Sequence, residues 1–162
     1  MARYLPEWRE IPRHSPAKRA TRREEAALPY RATVREMSLR DVLAFLDLTD
    51  EIGVVCWLAG GWGADAERGE QTRWHDDLDV FVSAHDAAVL TQHLVLRGFT
   101  AQAEAPWHVA FVDRHGRAID MRLFERDGDE VTHGPDERWP GTVLDGYGVL
   151  GERTVRVVRL PG

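Results

Sequence analysis

Asp77 and Asp79 stand two positions apart in the run Asp77-Leu78-Asp79-Val80. Side chains alternate along an extended strand, so the two carboxylates share one face while Leu78 and Val80 turn into the core. Asp76 then points the other way. Aspartate is depleted from strands, and a pair of them among apolar residues is destabilising unless positive charge compensates it. Hard oxygen donors with no thiolate nearby suit Mg²⁺ or Mn²⁺, and magnesium is typically held by one or two carboxylates together with substrate phosphates. A third carboxylate, Asp120, lies alone in the apolar run Ile119-Asp120-Met121. Two ions about 3.5–4 Å apart would activate an attacking hydroxyl and stabilise a leaving pyrophosphate, with Asp120 as ligand, general base or both.

Upstream, Gly60-Gly61-Trp62-Gly63-Ala64-Asp65 brings a glycine pair where a strand passes into a helix. Glycine permits close backbone approach, and the N–H groups that open a helix can cradle a triphosphate. Arg73 offers a bidentate donor to phosphate. Asp65 is expected to cap or bridge near the glycine turn. His75 can contact a phosphate, although its place just before a strand suits a solvated loop residue. His85, His93, His108, His115 and His133 have no ligand-like spacing and read as ordinary surface residues. A glycine pair or an Asp-x-Asp alone is commonplace; the ordered combination is informative.

The elements that must hold these residues follow from the pattern. Ser38, with Asp41 at the capping-box spacing, opens a helix whose apolar face is Val42, Leu43, Phe45, Leu46 and Ile52, and Gly53 ends it. Residues 54–58 form a nearly all-apolar strand covered on both faces. A short helix is expected over 62–68, ending near Gly69, and a strand over 78–82. Ser83 and Asp86 repeat the capping signal for a helix with Ala87, Leu90, Leu94 and Val95 on one face, closed by Gly98. Strands follow near 99–104, 109–113 and 118–124, the last two joined by the turn 113–116, and a hairpin is expected from 143–147 and 154–160. The fold class is α+β with a mixed sheet flanked by helices.

With 162 residues, 43% of them hydrophobic and 30% charged, the chain suits one domain with one core. No stretch reaches the roughly 20 apolar residues of a membrane span, and the N-terminus lacks a secretory apolar run, so a cytoplasmic protein is expected. Cys56, the single cysteine, excludes an internal disulfide and a thiolate cluster, and its flanks Val54, Val55, Trp57 and Leu58 suggest a buried small hydrophobe. Residues 1–36 carry nine Lys or Arg against five Glu, a net of +4, so the total of −6 leaves −10 for the rest. We read 1–36 as a basic arm with one possible helical turn over 18–27, and 37–162 as the catalytic domain. The overall negative charge argues against a general nucleic-acid binder.

The motifs Trp57-Leu58-Ala59-Gly60-Gly61-Trp62-Gly63-Ala64-Asp65 and Thr72-Arg73-Trp74-His75-Asp76-Asp77-Leu78-Asp79, with the spacing to Asp120, resemble the lincosamide and aminoglycoside-2″ nucleotidyltransferase family, over roughly 39–159. The resemblance implies a polymerase-β-like fold and transfer of a nucleoside monophosphate, AMP foremost, from a nucleoside triphosphate to a hydroxyl of an antibiotic-like small molecule. It implies Asp77 and Asp79 as metal ligands and Asp120 as third carboxylate or base. Gly60 and Gly61 would form the nucleotide-binding turn, with Arg73 and His75 beside the triphosphate, and two Mg²⁺ ions and ATP as the cofactor and co-substrate. A homodimer with the acceptor near its interface is also implied. Family chains continue into a C-terminal helical segment where this one ends at Leu160-Pro161-Gly162; the arm, a second subunit or a truncation would account for that. The alternatives are transfer to RNA, protein or a biosynthetic intermediate, and a catalytically silent nucleotide-binding module.

Overall fold

The structure, a computed structural model, describes residues 35–161. The expectations for residues 1–34 therefore lie outside the described residues. Arg35 and Glu36, the end of the expected arm, lead into the domain, where the Arg35 amide donates to the Gly116 carbonyl (3.0 Å) and the Met37 amide to the His75 carbonyl (2.8 Å).

Helix α1, Leu39–Ile52, begins where the sequence places it: the Ser38 hydroxyl accepts from the Asp41 amide, the Asp41 carboxylate accepts from the Ser38 amide, and Gly53 closes the last turn. Strand β1 is Cys56–Ala59, two residues later than expected at its start. The Val54 amide is used to bond the Thr49 carbonyl at the end of α1, and Val55 is exposed, so neither joins the sheet. Helix α2 is Gly60–Arg68 and takes both glycines into its first turn; β2 is Leu78–Ser83. Helix α3, Ala87–Leu96, ends as expected at Gly98, whose φ is +97°, but departs from expectation at its start and on one position of its face. Asp86 makes no side-chain cap, and the Ser83 hydroxyl instead accepts from the His85 amide. Ala87, Leu90 and Leu94 are buried, whereas Val95, one position and about 100° further round, is 50% exposed.

Next come β3, Phe99–Ala105; β4, His108–Asp113; β5, Ala118–Asp127; β6, Glu130–His133; β7, Glu137–Pro140; a 3₁₀ turn, Gly141–Leu144; β8, Gly146–Leu150; and β9, Arg153–Val157. The C-terminal hairpin thus starts later than expected, with Val143 and Leu144 in the 3₁₀ turn. The hairpin β6–β7 was not expected from the sequence.

The sheet order is β3-β4-β5-β2-β1-β9-β8, with the β6–β7 hairpin continuing from the far end of β5. β5/β2 and β1/β9 are parallel and the remaining pairs antiparallel, which makes the sheet mixed. One face packs on the helices: Phe45, Leu48, Leu58, Leu78, Val80, Val82, Leu90, Phe111, Ile119 and Met121 form that core. A second, smaller cluster covers part of the opposite face, where Phe81, Phe124, Val131, Val143, Leu144 and Val158 meet Trp57 and Trp139. β1 lies between the two, which is why its sequence is apolar on both sides. At its base Cys56 is buried, and burial pushes its thiol up to about 12, so it behaves as a packing residue. No helix among the described residues is long and apolar enough to cross a membrane.

Candidate active site

The strand alternation that buries Leu78 and Val80 turns Asp79 onto the sheet face away from the helices, and the same alternation in β5 does so for Asp120 between Ile119 and Met121. The parallel register sets Asp79 directly beside Asp120, with Ala59 on the other side of Asp79 and Ala110 on the other side of Asp120. Asp77, at the entrance to β2, joins them: one carboxylate oxygen from each of Asp77, Asp79 and Asp120 lies within 4.8 Å of the others. Asp120 is 8% exposed and the other two are half-buried. Three hard oxygen donors so close together, drawn from two strands, suit a divalent cation such as Mg²⁺.

Ala59 ends β1 beside Asp79, so Gly60 falls against that carboxylate. A Cβ on Gly60 would overlap Asp79 Oδ2, and its φ of +59° is in the left-handed region. Gly61 answers to a different neighbour. A Cβ there would overlap the His75 ring at Nδ1 and Cε1 and stand 3.2 Å from Nη2 of Arg73. The two glycines thus leave room for two different side chains: Asp79 of the acidic cluster, and His75 with Arg73.

His75 is not the solvated loop residue that its position suggests. It is 5% exposed, with its ring 4.6 Å from that of Trp62 and its Nε2 2.6 Å from Asp65 Oδ2. Asp65 also accepts from the Thr72 amide (3.0 Å) and hydroxyl (2.5 Å). Burial pushes the Asp65 carboxyl up, but the Thr72 hydroxyl, the His75 ring and the Thr72 amide together outweigh it and hold the group below its ordinary value. Trp62 is tied in turn by its indole N–H to the Met37 carbonyl (3.0 Å). Asp65, expected to bridge near the glycine turn, bridges α2 to the loop 70–77 and holds His75 against Gly61. Arg73 stands beside them on that exposed loop.

Two more histidines differ from the surface reading. His133 is 4% exposed, bonded through Nδ1 to Glu137 at 2.8 Å and packed between Phe81 and Trp139. His108, half-buried at the start of β4, places Nε2 3.3 Å from Asp120 Oδ1. Its signal in the sequence was its position in a strand ahead of alternating Ala110 and Val112, but the pairing with Asp120 depends on the β4–β5 register.

A model of the family described as aminoglycoside-2″-adenylyltransferase matches residues 41–160. A curated lincosamide resistance protein of Staphylococcus haemolyticus is 34% identical over 68 residues, covering 42% of this chain and 41% of that protein. The match therefore spans less than half the length of that relative. Among solved structures, lincosamide antibiotic adenylyltransferase LnuA with lincomycin bound superposes with a TM-score of 0.70 at 21% identity, over 77% of this chain and 82% of that one. ANT(2″)-Ia in complex with adenylyl-2″-tobramycin gives 0.64 at 22% identity, over 75% and 68% respectively. These likenesses show the fold, a nucleotidyltransferase fold.

Proposed function

This chain belongs to the aminoglycoside-2″-adenylyltransferase family, and from that premise we propose that it transfers AMP from ATP to a hydroxyl of an antibiotic-like small molecule, releasing pyrophosphate. The observation that carries the reading is the convergence of Asp77, Asp79 and Asp120 next to a glycine pair that opens a helix. Asp77, Asp79 and Asp120 would hold two Mg²⁺ ions. When bound, the ions supply charge neutralisation of the phosphates and lower the pKa of an oxygen nucleophile.

The chain's own groups have separable tasks. Gly60 lets the backbone lie against the Asp79 carboxylate, and the first-turn N–H groups of α2 point their dipoles toward bound phosphate. Arg73 and His75 stand over Gly61, where the guanidinium balances triphosphate charge and the buried imidazole packs against the glycine turn that would receive the phosphates. Because Asp65 Oδ2 accepts the Nε2 proton of His75, the ring is held with Nδ1 toward Gly61. Asp120 takes the proton of the acceptor hydroxyl as that oxygen attacks the α-phosphorus in line with the departing pyrophosphate. The sheet face toward β4 and β3, which the small second core leaves open, gives the acceptor its shelf. The reaction draws on ATP, consistent with a cytoplasmic setting, and a homodimer would complete the acceptor side.

The test is pyrophosphate release with ATP, Mg²⁺ and panels of lincosamides and aminoglycosides. Release should require both the acceptor and Mg²⁺, and Asp120→Asn should lower turnover by about 10²–10⁴-fold with the fold intact. Nucleotide binding with no transfer to any acceptor would instead leave a silent binding module.

A further inference from the structure

The proposed reaction uses Asp120 for two tasks, and a carboxylate that both faces a cation cluster and receives a proton must have its two oxygens held apart in role. We infer that His108 is the positioning residue that does this. The inference rests on the adenylyl-transfer reading above and adds a residue to it.

His108 reaches Asp120 across the antiparallel β4–β5 pair. Its partner in the register is Arg122, and Ala110 is the residue directly opposite Asp120. The contact is therefore diagonal, a separation that a long ring side chain spans and a short one does not. Ala110, small and buried, keeps the path between them open. Nε2 of His108 stands 3.3 Å from Oδ1 of Asp120, and an ionised carboxylate only accepts, so Nε2 carries the hydrogen and donates it.

That bond contributes to fixing the rotation of the Asp120 carboxylate about its last torsion, which is broad and roughly two-fold for an aspartate. The backbone beneath His108 is itself held, because the Leu123 amide donates to the carbonyl of Trp107, immediately before it. His108 also keeps 22% of its side chain in contact with solvent on the open half of the sheet face, the side from which an acceptor would arrive. It acts through Asp120, as outer residues that orient a ligand carboxylate do.

The experiment compares His108→Leu, which removes the donor, with His108→Gln, whose amide nitrogen reaches about as far as Nε2. Two readouts are taken: steady-state kinetics, and Mn²⁺ affinity measured without turnover by electron paramagnetic resonance. His108→Leu should lower kcat by about 10–100-fold, leave KM for ATP within about twofold and weaken Mn²⁺ binding. His108→Gln should recover most of both losses. Equal kcat and Mn²⁺ affinity in the parent and His108→Leu would overturn the inference, as would a His108→Gln that is no better than the leucine variant. Should His108→Leu fail to fold, His108→Asn, whose amide is too short to reach Asp120, takes its place against His108→Gln. A parent protein that transfers nothing defeats the adenylyl-transfer reading alone. The Mn²⁺ comparison then decides the role of His108 by itself.

Discussion

At the scale of single residues, two adjacent glycines carry different obligations. Gly60 makes way for Asp79 and holds a left-handed φ, whereas Gly61 makes way for His75 and Arg73. Gly60→Ala is expected to destabilise the protein by about 1–2 kcal/mol from backbone strain. Its larger effect should be on the cluster, because the new methyl must push the Asp79 carboxylate aside. Mg²⁺ affinity should fall about 10–100-fold, and an unchanged Mg²⁺ dependence of turnover would contradict that placement. Asp65 gives a second prediction. Its folded-state carboxyl is held below its ordinary value, so its contribution is complete above the unfolded value of about 3.9 and fades as pH falls through the folded one. Asp65→Asn should therefore cost about 1–3 kcal/mol at pH 7, with the gap to the parent closing on acidification below about pH 4. Urea midpoints of both proteins at pH 7 and pH 3 check the sign.

At the scale of elements, the end of the β4–β5 hairpin is pinned to helix α1 through buried charge. Arg117 is 1% exposed; its Nε donates to Asp113 Oδ2 at 2.6 Å, and Nη1 lies 3.7 Å from Asp41 Oδ1. Asp41 is also the capping-box residue of α1, so one guanidinium ties a helix start to a hairpin turn. Arg117→Met keeps the volume but removes the charge beside two buried carboxylates. We expect a loss of about 3–5 kcal/mol, seen as a shifted denaturant midpoint, against well under 1 kcal/mol for Arg138→Met, whose pair with Glu130 is exposed. Equal losses from the two variants would refute the assignment of the buried pair as the fastening.

At the scale of the whole molecule, the sheet divides labour between its faces. The helix-covered face holds the main core, and the other carries Asp79 and Asp120 beside the small cluster around Phe81. Phe45→Ala and Phe81→Ala should each destabilise by about 3–5 kcal/mol. They should differ in kinetics. Phe45 contributes to the core under the helices, so its variant should keep kcat at temperatures where it is folded. Phe81 is two residues from Asp79 on the same face, and its loss should lower kcat as well. Identical kinetics for the two variants would show that the faces do not separate in this way.

Much of the site was legible because it rests on local rules. Period-two alternation placed Asp79 and Asp120 between core residues and Asp77 on the same face as Asp79, and the capping box of Ser38 and Asp41 marked the start of α1. The β6–β7 hairpin was illegible because the run 130–140 is mostly polar, glycine or proline and more than half exposed, with Val131 its one fully buried hydrophobe. The burial of His75 and the bond from His108 to Asp120 were illegible for another reason. Each depends on a partner 10 or 12 residues away that only a helix-to-loop bridge or a strand register can supply. The sequence by itself determined which carboxylates would share a face, since that follows from the geometry of one strand. Only the tertiary structure decided that the three meet and that Gly60 and Gly61 serve separate neighbours. It also decided that a histidine holds the last aspartate, because such contacts arise from pairing distant segments, and pairing leaves no local periodicity to read.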